Sequence, residues 1–202
     1  TYTKLAGGNF SLGAQDLSSF ESGAHTGEIS AALLADIGVT HVIIGHSERR
    51  AQGESNQTVN KKIQNALKFE LKVILCVGES ERNKDGGYLS IIKEQILSGL
   101  SGVKEKDLQN IFIAYEPVWA VGENAVSAIS AAELHETALF IRRILSEKYS
   151  KDRAFKMQIL YGGSVDPENA NLLLEAGEVQ GLLVGRASLD ANVFMKLLEH
   201  LV

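Results

Sequence analysis

The stretch Leu71-Lys72-Val73-Ile74-Leu75-Cys76-Val77 decides the fold class of this 202-residue chain. Its apolar residues follow one another almost without interruption, instead of alternating with polar residues. A strand that is covered on both faces has this composition, and such strands belong to the parallel sheets of α/β proteins. The stretch therefore predicts a buried parallel strand.

Similar runs recur before and after this strand, and helical patterns lie between them. Further strands are predicted at 39–44, 111–115, 157–161 and 179–184, with a weaker one at 10–15. Helices are predicted over 27–37, 54–69 and 88–100, and from Ser130, Asp166 and Asp190 onward. In the first helix, Ile29, Leu33, Leu34 and Ile37 are expected to lie on one apolar face. This alternation implies parallel strands with right-handed crossovers, in either a doubly wound sheet or a β/α barrel.

The length of the chain favours the barrel, in an incomplete form. No predicted strand is followed by the G-x-G-x-x-G fingerprint of dinucleotide-binding sheets. A complete (β/α)8 barrel has about 250 residues, or about 31 for each βα unit, so this length accommodates about 6.5 units. Because we count six units and no linker, we predict that residues 1–202 form a single, incomplete β/α-barrel domain of the (β/α)8 family.

Composition and charge exclude several classes of partner. The net charge of −5 disfavours nucleic acid or an anionic membrane as a partner. No apolar run reaches the roughly 18 residues of a membrane span. Cys76 is the only cysteine, so we expect a reducing compartment, the cytoplasm, and a buried inert thiol. The histidines lack metal-ligand spacing with acids or Cys76, and we expect no metal site.

Chemistry in a parallel β/α protein lies beyond the carboxyl ends of the strands. His46 follows the predicted strand at 39–44. It is either a satisfied buried histidine beside a solvated Glu48-Arg49-Arg50 turn, or a neutral imidazole at the start of a short helix. A neutral imidazole in that position can donate a hydrogen bond to a substrate carbonyl.

Glu116 follows the predicted strand at 111–115. It is either an exposed carboxylate beside a packing Trp119, or a partly desolvated general base, because removal from water favours proton uptake by a carboxylate. Pro117 and Gly122 bracket a segment that could close as a lid.

Glycines follow the last two predicted strands, in Gly162-Gly163-Ser164-Val165 and Gly185-Arg186-Ala187-Ser188-Leu189. They form either ordinary turns or a cradle of backbone amides for phosphate. In β/α barrels the phosphate site lies after the seventh and eighth strands, which favours the cradle.

Together these segments resemble the triosephosphate isomerases. Six strings carry the resemblance, in family order over essentially the whole chain: Ser22-Gly23-Ala24-His25-Thr26-Gly27-Glu28, Gly45-His46-Ser47-Glu48-Arg49-Arg50, Cys76-Val77-Gly78-Glu79, Tyr115-Glu116-Pro117-Val118-Trp119-Ala120, Tyr161-Gly162-Gly163-Ser164-Val165 and Leu183-Val184-Gly185. By this resemblance the chain contains family units three to eight and lacks the first two.

The resemblance implies interconversion of dihydroxyacetone phosphate and glyceraldehyde 3-phosphate without a cofactor. Glu116 then moves a proton between adjacent carbons, His46 is the neutral electrophile, and Glu48 matches an acid of the family motif. The phosphate-binding residues implied are Gly122, Gly163, Ser164, Gly185 and Arg186. The lid residues implied are Pro117, Val118, Trp119, Ala120, Val121 and Tyr161.

The resemblance also implies a homodimer. The string from Ser22 to Glu28 matches a protruding loop that inserts beside the neighbour's active site. Thr26 lies in this loop, and Glu28 and Arg49 are expected to pair across the interface.

Three departures from the family pattern leave alternatives open. The Asn and Lys of the family's first strand, which contact substrate, have no counterpart here. The lid tip reads Gly122-Glu123-Asn124-Ala125 in place of the usual Gly-Thr-Gly-Lys, and Arg186 replaces a second glycine. The alternatives are another sugar-phosphate isomerase on the same barrel, a catalytically impaired fragment, and a non-catalytic phosphate binder or subunit.

Overall fold

The computed structural model describes residues 10–83, 86–120 and 129–199. Within these ranges it contains the strands β1 (Gly13–Ala14), β2 (His41–Ile44), β3 (Lys72–Val77), β4 (Ile111–Tyr115), β5 (Gln158–Tyr161) and β6 (Gly181–Leu182). The strands follow one another in the sheet in chain order. The pairs β1–β2, β2–β3 and β5–β6 are parallel, with His41 opposite Lys72 and Ile44 opposite Leu75 in the second pair. The predicted α/β class with parallel strands is confirmed.

Eight α-helices lie between and after the strands in the described ranges: α1 (Ala31–Asp36), α2 (Ser47–Ala51), α3 (Asn56–Lys68), α4 (Tyr88–Gly99), α5 (Ala131–Lys148), α6 (Lys151–Lys156), α7 (Ala170–Gly177) and α8 (Ala191–Glu199). Short 3-10 turns occupy Glu105–Asn110, Val118–Ala120 and Arg186–Ser188. Serine side chains cap α1, α3, α5 and α6 by accepting a backbone N–H of the first turn. At α5 the predicted capping box of Ser130 and Glu133 is complete.

The contacts divide the chain into two compact units. The first comprises Thr1–Leu75 and Ser98–Phe112. Its core contains Val42 and Ile44 of β2 and the face of α3 formed by Val59, Ile63 and Ala66, all at most 1% exposed. The three- and four-residue spacing of these α3 residues predicted this face.

The second unit comprises Cys76–Leu97 and Ile113–Val202. The thiol of Cys76 is buried here, as predicted. Leu134 of α5 is fully buried and fills the space beside Gly177 of α7, where an added Cβ would lie 2.6 Å from Leu134 Cδ2. Glycine at position 177 therefore permits the close approach of α5 and α7.

The prediction for the first helix was partly wrong. The helix begins at Ala31 instead of residue 27, because Gly27 has a φ of +91° and Ser30 caps the first turn. Of the apolar face predicted for it, only Leu34 is buried. The remaining members are 53–64% exposed, namely Ile29, Leu33 and Ile37. No described residue covers them.

Other boundaries also differ from the predictions. The helix predicted from Asp166 begins at Ala170, because the Asn169 N–H donates to Asp166 Oδ1 (2.8 Å) and closes a turn before it. The strands β1 and β6 have two residues each, fewer than predicted, and lie at the two ends of the strand order. Among the described residues each of these two strands pairs with one neighbour only, so fewer hydrogen bonds hold its residues in the extended conformation. None of the described helices combines the length and apolarity needed to cross a membrane.

Candidate active site

Glu116 is buried at the carboxyl end of β4. Its N–H donates to the Val77 carbonyl (2.8 Å), and the residue is 2% exposed. An added Cβ at Gly78 would lie 1.8 Å from the Glu116 carbonyl oxygen, so glycine allows the end of β3 to approach this residue. The alternative of an exposed carboxylate at this position is wrong.

Gly162, directly after β5, provides the space for the Glu116 side chain. Its N–H donates to the Tyr115 carbonyl (2.8 Å), which holds the two strand ends together. An added Cβ at Gly162 would lie 2.9 Å from Glu116 Cγ and 3.5 Å from Glu116 Oε1. The backbone of residue 162 therefore forms one wall around the carboxylate.

The residues after Glu116 are held by several hydrogen bonds. The Val118 N–H donates to the Glu79 carbonyl (2.9 Å), and the Ala120 N–H donates to the Pro117 carbonyl (2.8 Å). The indole Nε1–H of Trp119 donates to Glu79 Oε1 (2.8 Å). These bonds fix the segment 117–120, while Val121, Gly122 and the predicted lid tip at 123–125 lie outside the described residues.

Glu79 anchors both Trp119 and Tyr115, a role that the sequence analysis missed. The residue is fully buried, and Oε1 accepts a second hydrogen bond from the Tyr115 hydroxyl (2.9 Å). Burial, and then the negative charge of Glu79, raise the pKa of Tyr115 far above its ordinary value, so its hydroxyl stays protonated and donates.

The predicted phosphate-binding residues have different surroundings. An added Cβ at Gly163 would lie 2.1 Å from the Tyr161 hydroxyl oxygen, whereas one at Gly185 would meet no atom within 4 Å. Burial raises the pKa of Tyr161, whose hydroxyl has no hydrogen-bond partner among the described residues. The Ser164 N–H donates to the Ala120 carbonyl (3.2 Å), so this amide is engaged within the chain. Arg186 begins a 3-10 turn and is exposed.

His46 lies in the first unit, after β2, and caps the predicted short helix α2. Its Nδ1 accepts the Glu48 N–H at 3.3 Å. A ring nitrogen that accepts a backbone N–H carries no hydrogen, so the ring is neutral and holds its proton on Nε2. The Glu48 carboxylate is 84% exposed and 4.0 Å from Nδ1, too solvated and too distant for a strong ion pair.

An ion network in the same unit connects the exposed Arg49 to a buried pair through Asp16. The Arg49 Nε lies 3.0 Å from Asp16 Oδ2, and Lys62 Nζ donates to Asp16 Oδ1 at 2.6 Å. Lys62 also pairs with Glu54, and the side chains of these two residues are 4% and 3% exposed. The network joins the segment after β1 to α2 and α3.

The predicted dimer loop folds back on itself. The Ser18 N–H donates to the Ile29 carbonyl (2.9 Å), and the rings of Phe20 and His25 stack with centroids 3.6 Å apart. Thr26 and Glu28 are exposed, and the Glu28 carboxylate accepts a hydrogen bond from the Ser18 hydroxyl. The loop therefore has a defined shape within one chain.

Comparison with known proteins decides which family has this arrangement. A sequence model of the family described as triosephosphate isomerase matches residues 1–201. The chain belongs to the triosephosphate isomerase family. The resemblance predicted from the six strings is confirmed, and so is the isomerase class.

Individual triosephosphate isomerases support this result. The chain is 42% identical to that of Alkaliphilus oremlandii over 197 residues, which cover 96% of this chain and 79% of the relative. It is 43% identical to that of Moorella thermoacetica over 202 residues, which cover 99% and 80%. A crystal structure of triosephosphate isomerase from Bartonella henselae matches with a TM-score of 0.87 and 38% identity, covering 99% of this chain and 81% of that one. The chain spans about four-fifths of the length of these relatives, and its fold is that of the TIM-barrel family.

The structure groups the predicted triosephosphate isomerase residues within each unit. In the second unit Glu116, Trp119, Tyr161 and Gly163 lie around the ends of β4 and β5. In the first unit His46, Glu48 and Arg49 lie at the start of α2. In the described ranges no group of three or more histidine, cysteine or acidic side chains could hold a metal ion.

Proposed function

We propose that this chain interconverts dihydroxyacetone phosphate and glyceraldehyde 3-phosphate by proton transfer through an enediolate. Family membership gives the reaction class, and the buried carboxylate of Glu116 against Gly162 is the observation that carries the assignment of the base. A base that packing holds in one position is already oriented for proton transfer.

In the proposed reaction, Glu116 takes a proton from the hydroxymethyl carbon of the ketose. The electron pair of that C–H bond forms the enediolate, whose negative charge develops on the former carbonyl oxygen. His46 donates a hydrogen bond from Nε2 to the substrate oxygens. Support for this role comes from its Nδ1, which accepts the Glu48 N–H and so leaves the proton on Nε2. A proton then moves from the C1 hydroxyl to the C2 oxygen, which leaves the negative charge on the C1 oxygen. Glu116 returns its proton to C2, the C1 oxygen becomes the aldehyde carbonyl, and the aldose forms.

Gly163, Ser164, Gly185 and Arg186 are proposed to bind the phosphate. The open space at Gly185 and the exposure of the residue Arg186 favour this assignment. The Ser164 amide is engaged with Ala120 in this structure, so its proposed contact requires that hydrogen bond to break. The roles of Gly122 and of the lid residues from Pro117 to Val121, with Tyr161, stay predictions.

A coupled assay on the 202-residue chain tests the proposed function. We expect turnover of both triose phosphates, and a loss of about 10²–10⁴-fold in kcat for Glu116→Gln, the usual contribution of general base catalysis. Glu175→Gln, at an exposed position on α7, is the matched control and should retain full activity. Turnover that survives Glu116→Gln would overturn the assignment of the base.

Two further measurements test the alternative functions. Turnover of longer aldose or ketose phosphates in a substrate panel would indicate another sugar-phosphate isomerase. Binding of a phosphorylated enediolate mimic without turnover would indicate a non-catalytic chain.

We also propose that the chain forms a homodimer through the loop around Thr26 and Glu28, with Arg49 at the interface. The defined loop shape and the exposure of Thr26 and Glu28 support this role. Light scattering of Thr26→Arg should show a lower mass than the parent, whereas Gln57→Arg, at an exposed position on α3, should not change the mass. An unchanged mass for Thr26→Arg would argue against the loop.

A cytoplasmic location is proposed from the single cysteine, Cys76, whose buried thiol suits a reducing compartment. Fractionation of cells that produce the protein tests it.

A further inference from the structure

Arg82 places a cation between two aromatic rings of the second unit. Its side chain is 14% exposed. Its Cζ lies 4.7 Å from the centroid of the Tyr88 ring and 5.9 Å from that of Trp119. Both distances are within the range in which a guanidinium is attracted to an aromatic face.

Directed polar contacts fix the plane of this guanidinium. Nη2 donates to the Tyr88 hydroxyl (3.0 Å) and to Thr137 Oγ1 (3.2 Å), and Nη1 lies 3.7 Å from Glu133 Oε1. Glu133 belongs to the capping box of α5, and Thr137 lies one turn further along the same helix. Residues of two helices, α4 and α5, therefore orient the guanidinium independently of its contact with the indole.

Trp119 thus has two different restraints. The hydrogen bond to Glu79 holds the edge of the indole at Nε1, and Arg82 lies over its ring. A single hydrogen bond leaves the ring free to rotate about the N–H···O direction, whereas a second contact on the ring limits that rotation. Neither residue needs to contact a substrate to have this effect.

We propose that Arg82 is a positioning residue: it sets the orientation of the Trp119 indole, and through it the backbone at 117–120 that follows the base Glu116. The backbone link is short, because the Val118 N–H is bonded to the Glu79 carbonyl and the Ala120 carbonyl accepts the Ser164 N–H. A rotated indole displaces these bonds and, with them, the end of β4. The catalytic part of this inference rests on the proposed function, but the effect on Trp119 does not.

Trp119 is the only tryptophan, so its emission reports this position alone. In Arg82→Met the emission maximum should shift to longer wavelength, and acrylamide should quench it more strongly. We expect kcat to fall about tenfold, with KM within about twofold, because a misplaced catalytic group lowers the rate of chemistry. In Arg82→Lys the emission maximum, the quenching and kcat should lie between those of the parent and Arg82→Met. The ammonium keeps the charge but lacks the planar fork of donors.

Arg142 offers a matched control in the same unit. It also lies over an aromatic ring, with Cζ 6.0 Å from the centroid of Phe155, and it donates to the Phe155 and Met157 carbonyls (both 3.1 Å). Arg142→Met should lower stability without changing Trp119 emission or the ratio of kcat to KM. Parental emission and quenching in a folded Arg82→Met would overturn the proposal, as would equal changes in Arg142→Met. If the parent had no turnover, the proposed function would fail while the emission data still tested the positioning.

Discussion

The side chain of Glu116 lies against Gly162 so closely that a Cβ at position 162 would be 2.9 Å from Glu116 Cγ. Real Cβ atoms do not approach other heavy atoms to this distance, so one of the two residues must move if residue 162 has a side chain. The position of the Glu116 side chain, which we assign as the base, therefore requires glycine at residue 162. A side chain at residue 162 is expected to displace the base and lower activity.

Gly162→Ala should lower kcat by about 10²-fold, because a displacement of the base by about 1 Å is sufficient for a loss of that size. Gly13→Ala is the matched control, since an added Cβ there would make ordinary contacts at 3.7 and 3.8 Å with His41. Steady-state kinetics of the two variants checks this prediction. Equal activity of Gly162→Ala and the parent would show that the carboxylate is not confined as described.

Glu79→Leu should destabilise the protein more than Glu79→Gln. Leucine leaves the buried donors of Tyr115 and Trp119 without an acceptor, at a cost of about 1–3 kcal/mol for each donor, whereas glutamine retains one acceptor oxygen. Urea unfolding followed by far-UV circular dichroism measures both variants. The prediction is wrong if leucine is tolerated as well as glutamine.

Lys62→Met should lower the free energy of unfolding by about 3–5 kcal/mol, because it leaves the buried carboxylate of Glu54 without its cation. The double variant Lys62→Met/Glu54→Leu removes both charges and should recover most of this loss. Urea titrations of the parent, the two single variants and the double variant give the coupling energy. Additive effects of the two substitutions would contradict the buried pair.

The same titrations test whether the chain unfolds as one domain. If residues 1–202 unfold as one domain, Trp119 emission, from the second unit, should report the same midpoints as circular dichroism.

Stability should fall as the pH decreases below 6.5, in part because of His41. Burial, and secondarily the charge of Lys72, lower the pKa of His41 from its ordinary value of 6.5. The unfolded chain then binds a proton more readily than the folded one, so the free energy of unfolding decreases as the pH falls from 6.5 through the folded-state pKa. Above pH 6.5 both states are neutral at this residue and its contribution is constant. His41→Gln should show a smaller difference between urea midpoints at pH 7.5 and pH 5.5, and an unchanged difference would contradict this assignment.

Several parts of this molecule follow from local sequence patterns. The nearly continuous apolar run at Leu71–Val77 predicted β3, because a strand covered on both faces needs no polar alternation. The spacing of Val59, Ile63 and Ala66 predicted the buried face of α3, and the position of His46 predicted its place at the start of α2. These features depend on neighbours within a few residues.

Features that depend on distant partners were not predicted. Lys62 lies on the buried face of α3 because Asp16, 46 residues earlier in the chain, and Glu54 neutralise it, and periodicity carries no information about such partners. Glu79 was quoted only within a family string, although its carboxylate holds Trp119, 40 residues later. The apolar face predicted for α1 is largely exposed, because periodicity does not indicate whether another element covers such a face. Leu33, at 59% exposed, has the predicted spacing but no such cover among the described residues.

The measurement that tests the central claim most directly is conversion of dihydroxyacetone phosphate in D₂O, with the aldose product analysed by mass spectrometry. If Glu116 carries the proton between the two carbons, that proton exchanges with solvent during its time on the carboxylate. The product then contains deuterium at C2, and Glu116→Gln loses both turnover and incorporation. Equal incorporation and turnover in Glu116→Gln would contradict proton transfer by this residue.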